Sequence, residues 1–378
     1  MRKIAILGST GSIGQQTLDV IRDHPQRFQV VGLAAHQNGE KLAEQAREFQ
    51  PACLCLSGQK ESPQLSAPQV TRQLAGTDGL VELVESCGCD LVMNAITGAA
   101  GLTANFRTLQ LGIDLAIANK ESLVMAGEIL LPVAAASGAS VTPVDSEHSA
   151  VAQCLRAGRL EEVERIYLTA SGGPFRGRSR DQLTQVTVEE ALKHPTWKMG
   201  PKISIDSATL MNKALEILEA RVLFALEPQR IGVLIHPQSV VHSIVEFRDG
   251  SFMAHLGAAD MRIPIQYALS QGERWPRPES EFSLVDSHAL EFQTPDHETF
   301  PSIRMAYQVA QEGGTTPVVF NAANEVAVEK FLAGEIPFLS IFELVSRALD
   351  GHDTEQVKDI AQILNVDRQT RQIMKSWS

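Results

Sequence analysis

The chain has 378 residues, enough for two or three domains that each bury a core, so a small fold stapled by disulfides is excluded. Hydrophobic residues make up 44% and charged residues 21%, the balance of a globular chain, and no apolar run reaches the length that spans a bilayer. Lysine and arginine total 33 against 45 acids, a net charge of −12 with no basic block, which argues against nucleic acid as a partner because phosphate neutralisation needs clustered cations.

Lys3 to Leu7 read as a buried strand, followed by the turn G-S-T-G-S-I-G and an amphipathic run from Gln15 to Arg22. The first residues enter that strand with no signal or transit segment ahead of it, which makes the cytoplasm the expected location. Phe28 to Ala35 is a second strand; Leu91 to Ile96, Leu115 to Ala118 and Val141 to Val144 follow, separated by helical stretches such as Glu40 to Phe49 and Gly79 to Glu85. This alternation predicts an α/β domain over 1–147, a Rossmann-like, doubly wound parallel sheet. Cysteines 53, 55, 87, 89 and 154 lack zinc or redox spacing, and their apolar surroundings predict buried free thiols in a reducing compartment.

The texture then changes to α+β over 148–270. It contains a strand at Ile166 to Thr169, a helix at Val188 to Lys193 and a loop over 194–201. Asp206-Ser207 reads as the cap of a helix running through Ala208 to Leu223. Ile231 to Ile235 is a strand, and Val240 to Phe247 with Ser251 to Leu256 form a hairpin turning at Asp249-Gly250. Prolines 276, 278, 295 and 301 among polar residues mark 271–300 as a linker. Four helices, near 301–312, 317–333, 338–350 and 354–376, predict a C-terminal helical bundle over 301–378.

Gly8, Gly11 and Gly14 follow a strand and open a helix, a place where a backbone can approach a pyrophosphate, although the same glycines also suit a merely tight turn. After the second strand stand His36, Gln37 and Asn38 with no carboxylate, which favours NADPH over NADH. Asn119-Lys120-Glu121 and Asp145-Ser146-Glu147 each come directly after a strand, where ligands border an open parallel sheet. Asp145 and Glu147, two apart in extended chain, share a face and with one more acid could hold Mg²⁺ or Mn²⁺; the bland reading is a solvated pair. Asn212, Lys213 and Glu216 share a helix face, either as a surface ion pair or, with Ser207 and the Ser171-Gly172-Gly173 turn, as a phosphate and metal site. His194, Trp197 and Gly200 lie in a loop composed like a lid, where Trp197 could equally be a packing anchor; His242 is either catalytic or a plain strand residue.

The segments GSTGSIG, ANKESLV, PVDSEHSA, SGGPFR, HPTWKMG, DSATLMNKALE and HPQSVVHS, in this order, resemble the 1-deoxy-D-xylulose 5-phosphate reductoisomerase family over nearly the whole chain. The resemblance implies conversion of 1-deoxy-D-xylulose 5-phosphate to 2-C-methyl-D-erythritol 4-phosphate in non-mevalonate isoprenoid synthesis, with NADPH and a divalent metal (Mg²⁺ or Mn²⁺), in a homodimer inhibited by fosmidomycin-type hydroxamates. It makes 148–270 the catalytic and dimerisation domain, with a lid over 194–201. It implies metal ligation by Asp145, Glu147 and Glu216, with Lys120, Ser146 and Glu147 near the reacting oxygens. Ser171, His194, Ser207, Asn212 and Lys213 are implied in binding the substrate and its phosphate. Thr10, Gly11, Ser12, Ile13, Asn38, Asn119, Glu121 and Gly200 are implied in NADPH contacts, Trp197 as the lid residue and His242 in shaping the pocket. Another NAD(P)-dependent oxidoreductase and a non-catalytic nucleotide-binding protein are the alternatives; neither membrane nor nucleic acid is expected as a partner.

The chain departs from the family where Ala35-His36-Gln37-Asn38 replaces a more usual Ala-Gly-Lys/Ser-Asn. Loss of that glycine and a possible cation weakens the grip on a 2′-phosphate. The ratio of kcat/KM with NADPH to that with NADH should be smaller than in a member carrying the lysine; an equal or larger ratio would overturn this.

Overall fold

The apolar runs near the N-terminus become strands buried on both faces, and covering both faces dictates the first layer of the architecture. The computed structural model describes residues 1–61, 72–197, 199–276, 283–285 and 289–377. It divides into one unit made of Met1–Ser122, Glu128–Ser149 and Asp260–Pro278, and a second made of Leu123–Gly127, Ala150–Ala259 and Glu279–Ser378.

The chain begins with β1 (Arg2–Leu7), α1 (Ser12–Asp23), β2 (Phe28–Ala35), α2 (Gly39–Phe49), β3 (Cys53–Leu56), β4 (Arg72–Ala75), α3 (Gly76–Ser86) and β5 (Leu91–Asn94). It continues with α4 (Leu102–Gln110), β6 (Asp114–Ile117), α5 (Lys120–Ser137), β7 (Val141–Pro143) and α6 (Ser146–Cys154). Among the described residues seven strands pair, all in parallel, in the order β4-β3-β2-β1-β5-β6-β7. The order reverses between β1 and β5, so the turn after β1 stands at the switch point where open α/β sheets bind ligands. Ile4 and Ile6 of β1 are fully buried in a core with Leu18 and Ile21 of α1 and Leu33 of β2. The five cysteines are free and buried, and burial pushes the Cys55 thiol up to about 12.

Then follow β8 (Val163–Ala170), α7 (Val188–Ala191), α8 (Pro201–Ala208), α9 (Met211–Leu223), β9 (Ile231–Ile235), β10 (Val241–Phe247) and β11 (Phe252–Leu256). The last elements are α10 (Arg262–Leu269), α11 (Ser302–Glu312), α12 (Thr316–Leu332), α13 (Ser340–Asp350) and α14 (Ile360–Lys375). In the second unit the strands pair in the order β11-β10-β8-β9, antiparallel except for β8 with β9. The expected hairpin turns at Gly250, whose φ of 84° is open to glycine, and the Gly250 N–H donates to the Phe247 carbonyl. Helix α12 has no polar stripe over Val318–Val328 and is correspondingly buried nearly all round, against α8, α9, α11, α13 and α14.

The expected domain boundaries differ from these units in three places. Helix α10, placed by sequence in the second domain, buries Ile265, Ala268 and Leu269 in the core of the first unit. The expected linker over 271–300 is exposed along most of its described length, as a linker would be, but it is fastened at three points: Trp275 lies 5.5 Å from Phe28, Gln293 pairs with Ile235, and Phe300 is buried. Pro278, with the rest of 277–282 and 286–288, lies outside the described residues. Three of the four C-terminal helices fall close to where expected, while the last begins at Ile360 and not near 354. They share one core with β8, β9 and α9 instead of forming a separate bundle: α9 lies on the sheet and α11 and α12 pack on α9.

Phe338 makes that shared core concrete. Its ring meets Phe175, from the loop after β8, edge-on at 5.1 Å, and also Phe331 and Phe342. Phe338→Ala should cost about 3–5 kcal/mol and lower the melting temperature by roughly 10 °C. Calorimetry showing a loss under about 1 kcal/mol would contradict the shared core.

Candidate active site

In the first unit the glycine turn separates two kinds of glycine. Gly8 has φ +87°, and a Cβ there would stand 2.6 Å from the Ala95 carbonyl oxygen; a Cβ on Gly14 would stand 2.2 Å from the Gly8 oxygen. The fold itself requires both. Gly11 has an ordinary φ of −77°, and its Cβ would only touch the Gly8 oxygen at 3.4 Å. It sits at the N-cap of α1, where no side chain caps the first-turn N–H groups. Bare backbone donors and the positive end of the helix dipole, approachable across Gly11 between Thr10 and Ser12-Ile13, fit the pyrophosphate of a dinucleotide.

The other expected cofactor contacts are partly engaged. Asn38 caps α2, its side-chain oxygen accepting the Lys41 N–H at 3.0 Å. Asn119 is buried; its amide donates to the Gly98 carbonyl at 2.9 Å and to the Glu121 carboxylate at 3.0 Å, and its oxygen accepts the Ser122 hydroxyl. These groups build the turn after β6 that delivers Lys120.

Lys120 opens α5 and forms a nearly buried ion pair with Asp145. The extended-chain relation expected between Asp145 and Glu147 is not what forms. The Asp145 carbonyl accepts the Ser149 N–H at 2.8 Å, so Asp145 begins α6, while Glu147 lies in its first turn and accepts the Ser146 hydroxyl. The helix N-terminus offsets part of the repulsion between the two acids. His148, which the sequence reading passed over, is fully buried with Nδ1 4.0 Å from the Asp145 carboxylate; its signal was the three-residue spacing in a helix that reads as a strand end. Hard oxygen donors, one of them balanced by an ammonium in a buried place, fit a divalent cation.

In the second unit His194 and Ser171 meet. His194 Nδ1 accepts the backbone N–H groups of Thr196 at 3.1 Å and Trp197 at 2.9 Å, so Nε2 carries the proton and donates to Ser171 Oγ at 3.0 Å. Burial holds the His194 imidazole below its ordinary value of 6.5. Trp197 faces His242 with ring centroids 6.3 Å apart, and His242 Nε2 lies 3.2 Å from the Ala258 carbonyl. Lys198 lies outside the described residues. The expected lid loop ends at Gly200, because Pro201 starts α8, and a Cβ on Gly200 would meet nothing within 4 Å.

Ser207 does not start a helix as expected. It lies in the last turn of α8, and the chain breaks at Leu210, whose φ of 59° and ψ of 11° are left-handed, before α9 begins at Met211. Such a conformation costs a residue with a Cβ about 1 kcal/mol. On the α8 side of the break a Cβ on Gly173 would stand 2.6 Å from the Ser207 carbonyl oxygen, and on the α9 side Asn212 and Lys213 both reach the fully buried Glu216. An amide, an ammonium and a carboxylate thus meet in the first turns of α9, and Ser207 stands on the other side of the break.

Family models of 1-deoxy-D-xylulose 5-phosphate reductoisomerase match residues 4–127, of its C-terminal domain residues 141–224, and of a further C-terminal domain residues 256–373. The reductoisomerase of Symbiobacterium thermophilum is 51% identical over 97% of this chain and 96% of its own, and that of Chlorobium chlorochromatii 46% identical over 100% of both. The solved structure of the Zymomonas mobilis reductoisomerase with NADPH matches with a TM-score of 0.92 at 39% identity over 100% of both chains. A reductoisomerase solved with NADPH, fosmidomycin and magnesium matches with a TM-score of 0.93 over 100% of this chain and 98% of its own. This chain belongs to the 1-deoxy-D-xylulose 5-phosphate reductoisomerase family.

Proposed function

We infer that this chain is an NADPH-dependent reductoisomerase that converts 1-deoxy-D-xylulose 5-phosphate into 2-C-methyl-D-erythritol 4-phosphate in non-mevalonate isoprenoid synthesis. The observation that carries this is a family match over nearly the whole chain, whose matched ranges span the glycine turn and both carboxylate sets. An unrelated NAD(P)-dependent oxidoreductase would have no use for those buried acids.

Residue roles follow the resemblance. We assign the divalent metal to Asp145, Glu147 and Glu216; when bound it supplies Lewis-acid polarisation of the substrate ketone and a template for the rearranging oxygens. Thr10, Gly11, Ser12 and Ile13, with Asn38, Asn119, Glu121 and Gly200, would hold NADPH, which supplies the hydride for the final reduction. Ser171, Ser207, Asn212 and Lys213 bind the substrate, and the dianionic phosphate is their anchor; binding energy there orients the reacting carbons. Lys120 holds a proton and a positive charge close to Asp145, where it can steady negative charge developing on a substrate oxygen, helped by Ser146. His194 holds Ser171 and the backbone up to Trp197 in one geometry, and Trp197 covers the substrate with His242 behind it.

The first unit serves as the NADPH-binding domain and the second as the catalytic one. A homodimer in the cytoplasm fits the chain: β11 is an edge strand whose Phe252, Met253 and Leu256 are exposed, an edge that pairing would cover. Among the described residues no helix is long and apolar enough to cross a membrane.

NADPH oxidation with 1-deoxy-D-xylulose 5-phosphate and Mg²⁺ or Mn²⁺ should vanish with EDTA, and Glu216→Gln should lower kcat/KM by about 10²–10³-fold. Chelator-resistant turnover would remove the metal assignment, and failure of any turnover would remove the function. A second test concerns acid. Below about pH 6.5 an unfolded His194 takes up a proton that the folded loop excludes, so its contribution to stability is present above that pH and is lost as pH falls. His194→Asn, whose oxygen can replace Nδ1 as acceptor, should narrow the difference in melting temperature between pH 7.5 and 5.5. His297 and His352, also lowered by burial, contribute equally to both proteins. An unchanged difference would exclude His194 as the source.

A further inference from the structure

The elbow between α8 and α9 is gripped from the C-terminal helices by a polar contact that the proposed chemistry does not use. Asp206 is 1% exposed and directly precedes Ser207. Its Oδ1 accepts the Asn324 amide of α12 at 2.7 Å, and its Oδ2 pairs with Lys202 at 2.9 Å, one turn earlier in α8. Asn324 is fully buried, and donating to Asp206 leaves its own Oδ1 without a hydrogen-bond partner among the described residues. Turning the amide over would set oxygen against carboxylate, so the Asp206 charge dictates its orientation.

Three further bonds tie the same turn. Thr209 Oγ1 donates to the Ile205 and Asp206 carbonyls at 2.9 and 3.2 Å, and Ser302 of α11 donates to the Thr209 carbonyl at 2.7 Å. A buried charge and an unmatched carbonyl oxygen are poor ways to gain stability, since an apolar pair of similar volume is often as stable. What the contact does supply is register: α12 cannot slide past α8 without separating Asn324 from Asp206. The elbow it fixes carries Ser207, Asn212 and Lys213 and includes the left-handed Leu210.

We propose that Asp206 and Asn324 are positioning residues for the substrate phosphate, through which α12 sets the spacing of Ser207 from the first turn of α9. This rests on the reading of that elbow as the phosphate site. Neither side chain touches substrate; both act through the backbone they hold.

The test uses full-length Asn324→Leu and the exchanged pair Asp206→Asn with Asn324→Asp, which restores one amide and one carboxylate across the contact. Asn324→Leu should raise KM for 1-deoxy-D-xylulose 5-phosphate about tenfold while kcat falls less than about threefold. NADPH affinity, read by fluorescence, should stay unchanged, and the exchanged pair should regain most of the lost affinity. Inorganic phosphate, read by the rise in melting temperature it causes, should protect wild type and the exchanged pair more than Asn324→Leu. Should Asn324→Leu not fold, Lys202→Met is the second variant, expected to raise KM about threefold. A folded Asn324→Leu with wild-type KM and wild-type phosphate protection overturns the proposal, as does a loss confined to kcat and melting temperature that the exchanged pair does not restore. If wild type turns over none of this substrate, the function falls, and the phosphate comparison still decides whether α12 positions an anion site.

Discussion

The second unit is built around one constraint: over Val318–Val328, α12 has almost no face to give to water. Its apolar residues satisfy that burial by packing, but Asn321, Asn324 and Glu325 must find partners inside the protein. Asn321 donates to Glu325, Glu325 receives Arg371 of α14, and Arg371 is also held by Asp367. Asn324 reaches α8. The helix is therefore fastened on one side to the last helix of the chain and on the other to the turn that carries Ser207. Burial supplies the driving force, and the polar pairs choose which neighbour sits where.

A second regularity is how buried acids are held. Asp145 has Lys120, Glu216 has Lys213, and Asp206 has Lys202. Desolvating a carboxylate without such a partner is costly, and a lysine ammonium is a compact neutraliser on a flexible stem. In the first two pairs the acids are those to which the proposed function assigns a metal, a role in which the lysine would yield to a stronger cation. The third belongs to a helix turn closed by an asparagine, and there the same chemistry is structural.

Much of the first unit was legible because a strand buried on both faces writes itself as a continuous apolar run, as in Phe28–Ala35 and Leu91–Asn94. The hairpin was legible from Asp249-Gly250, and the C-terminal helices from their period. The family resemblance named the site residues; local spacing alone could not decide between a surface ion pair and a phosphate and metal site at Asn212, Lys213 and Glu216. What could not be read needed distant partners. Leu210 carries no sign of a left-handed turn, because contacts from distant residues, such as Ser302 to the Thr209 carbonyl and Asn324 to Asp206, hold it there. Asp145 and Glu147 looked extended because the strand before them gives no warning that a helix begins at once. Nothing near Ile265 or Leu269 announces that they fill the core of the first sheet, and Asn324 reads as one more polar residue on a helix until Asp206 is placed beside it.

The return of α10 to the first unit has a consequence for biosynthesis. The sheet of that unit is complete by Pro143, yet Ile265, Ala268 and Leu269, which close its core, together with Trp275 against Phe28, are translated more than a hundred residues later. A nascent chain leaving the ribosome must therefore make all of β8 to β11 while the apolar patch over α1 and β2 is still open to solvent. Folding cannot proceed strictly from the amino terminus, and the interval before α10 emerges is when a chaperone that shields apolar surface has most to do.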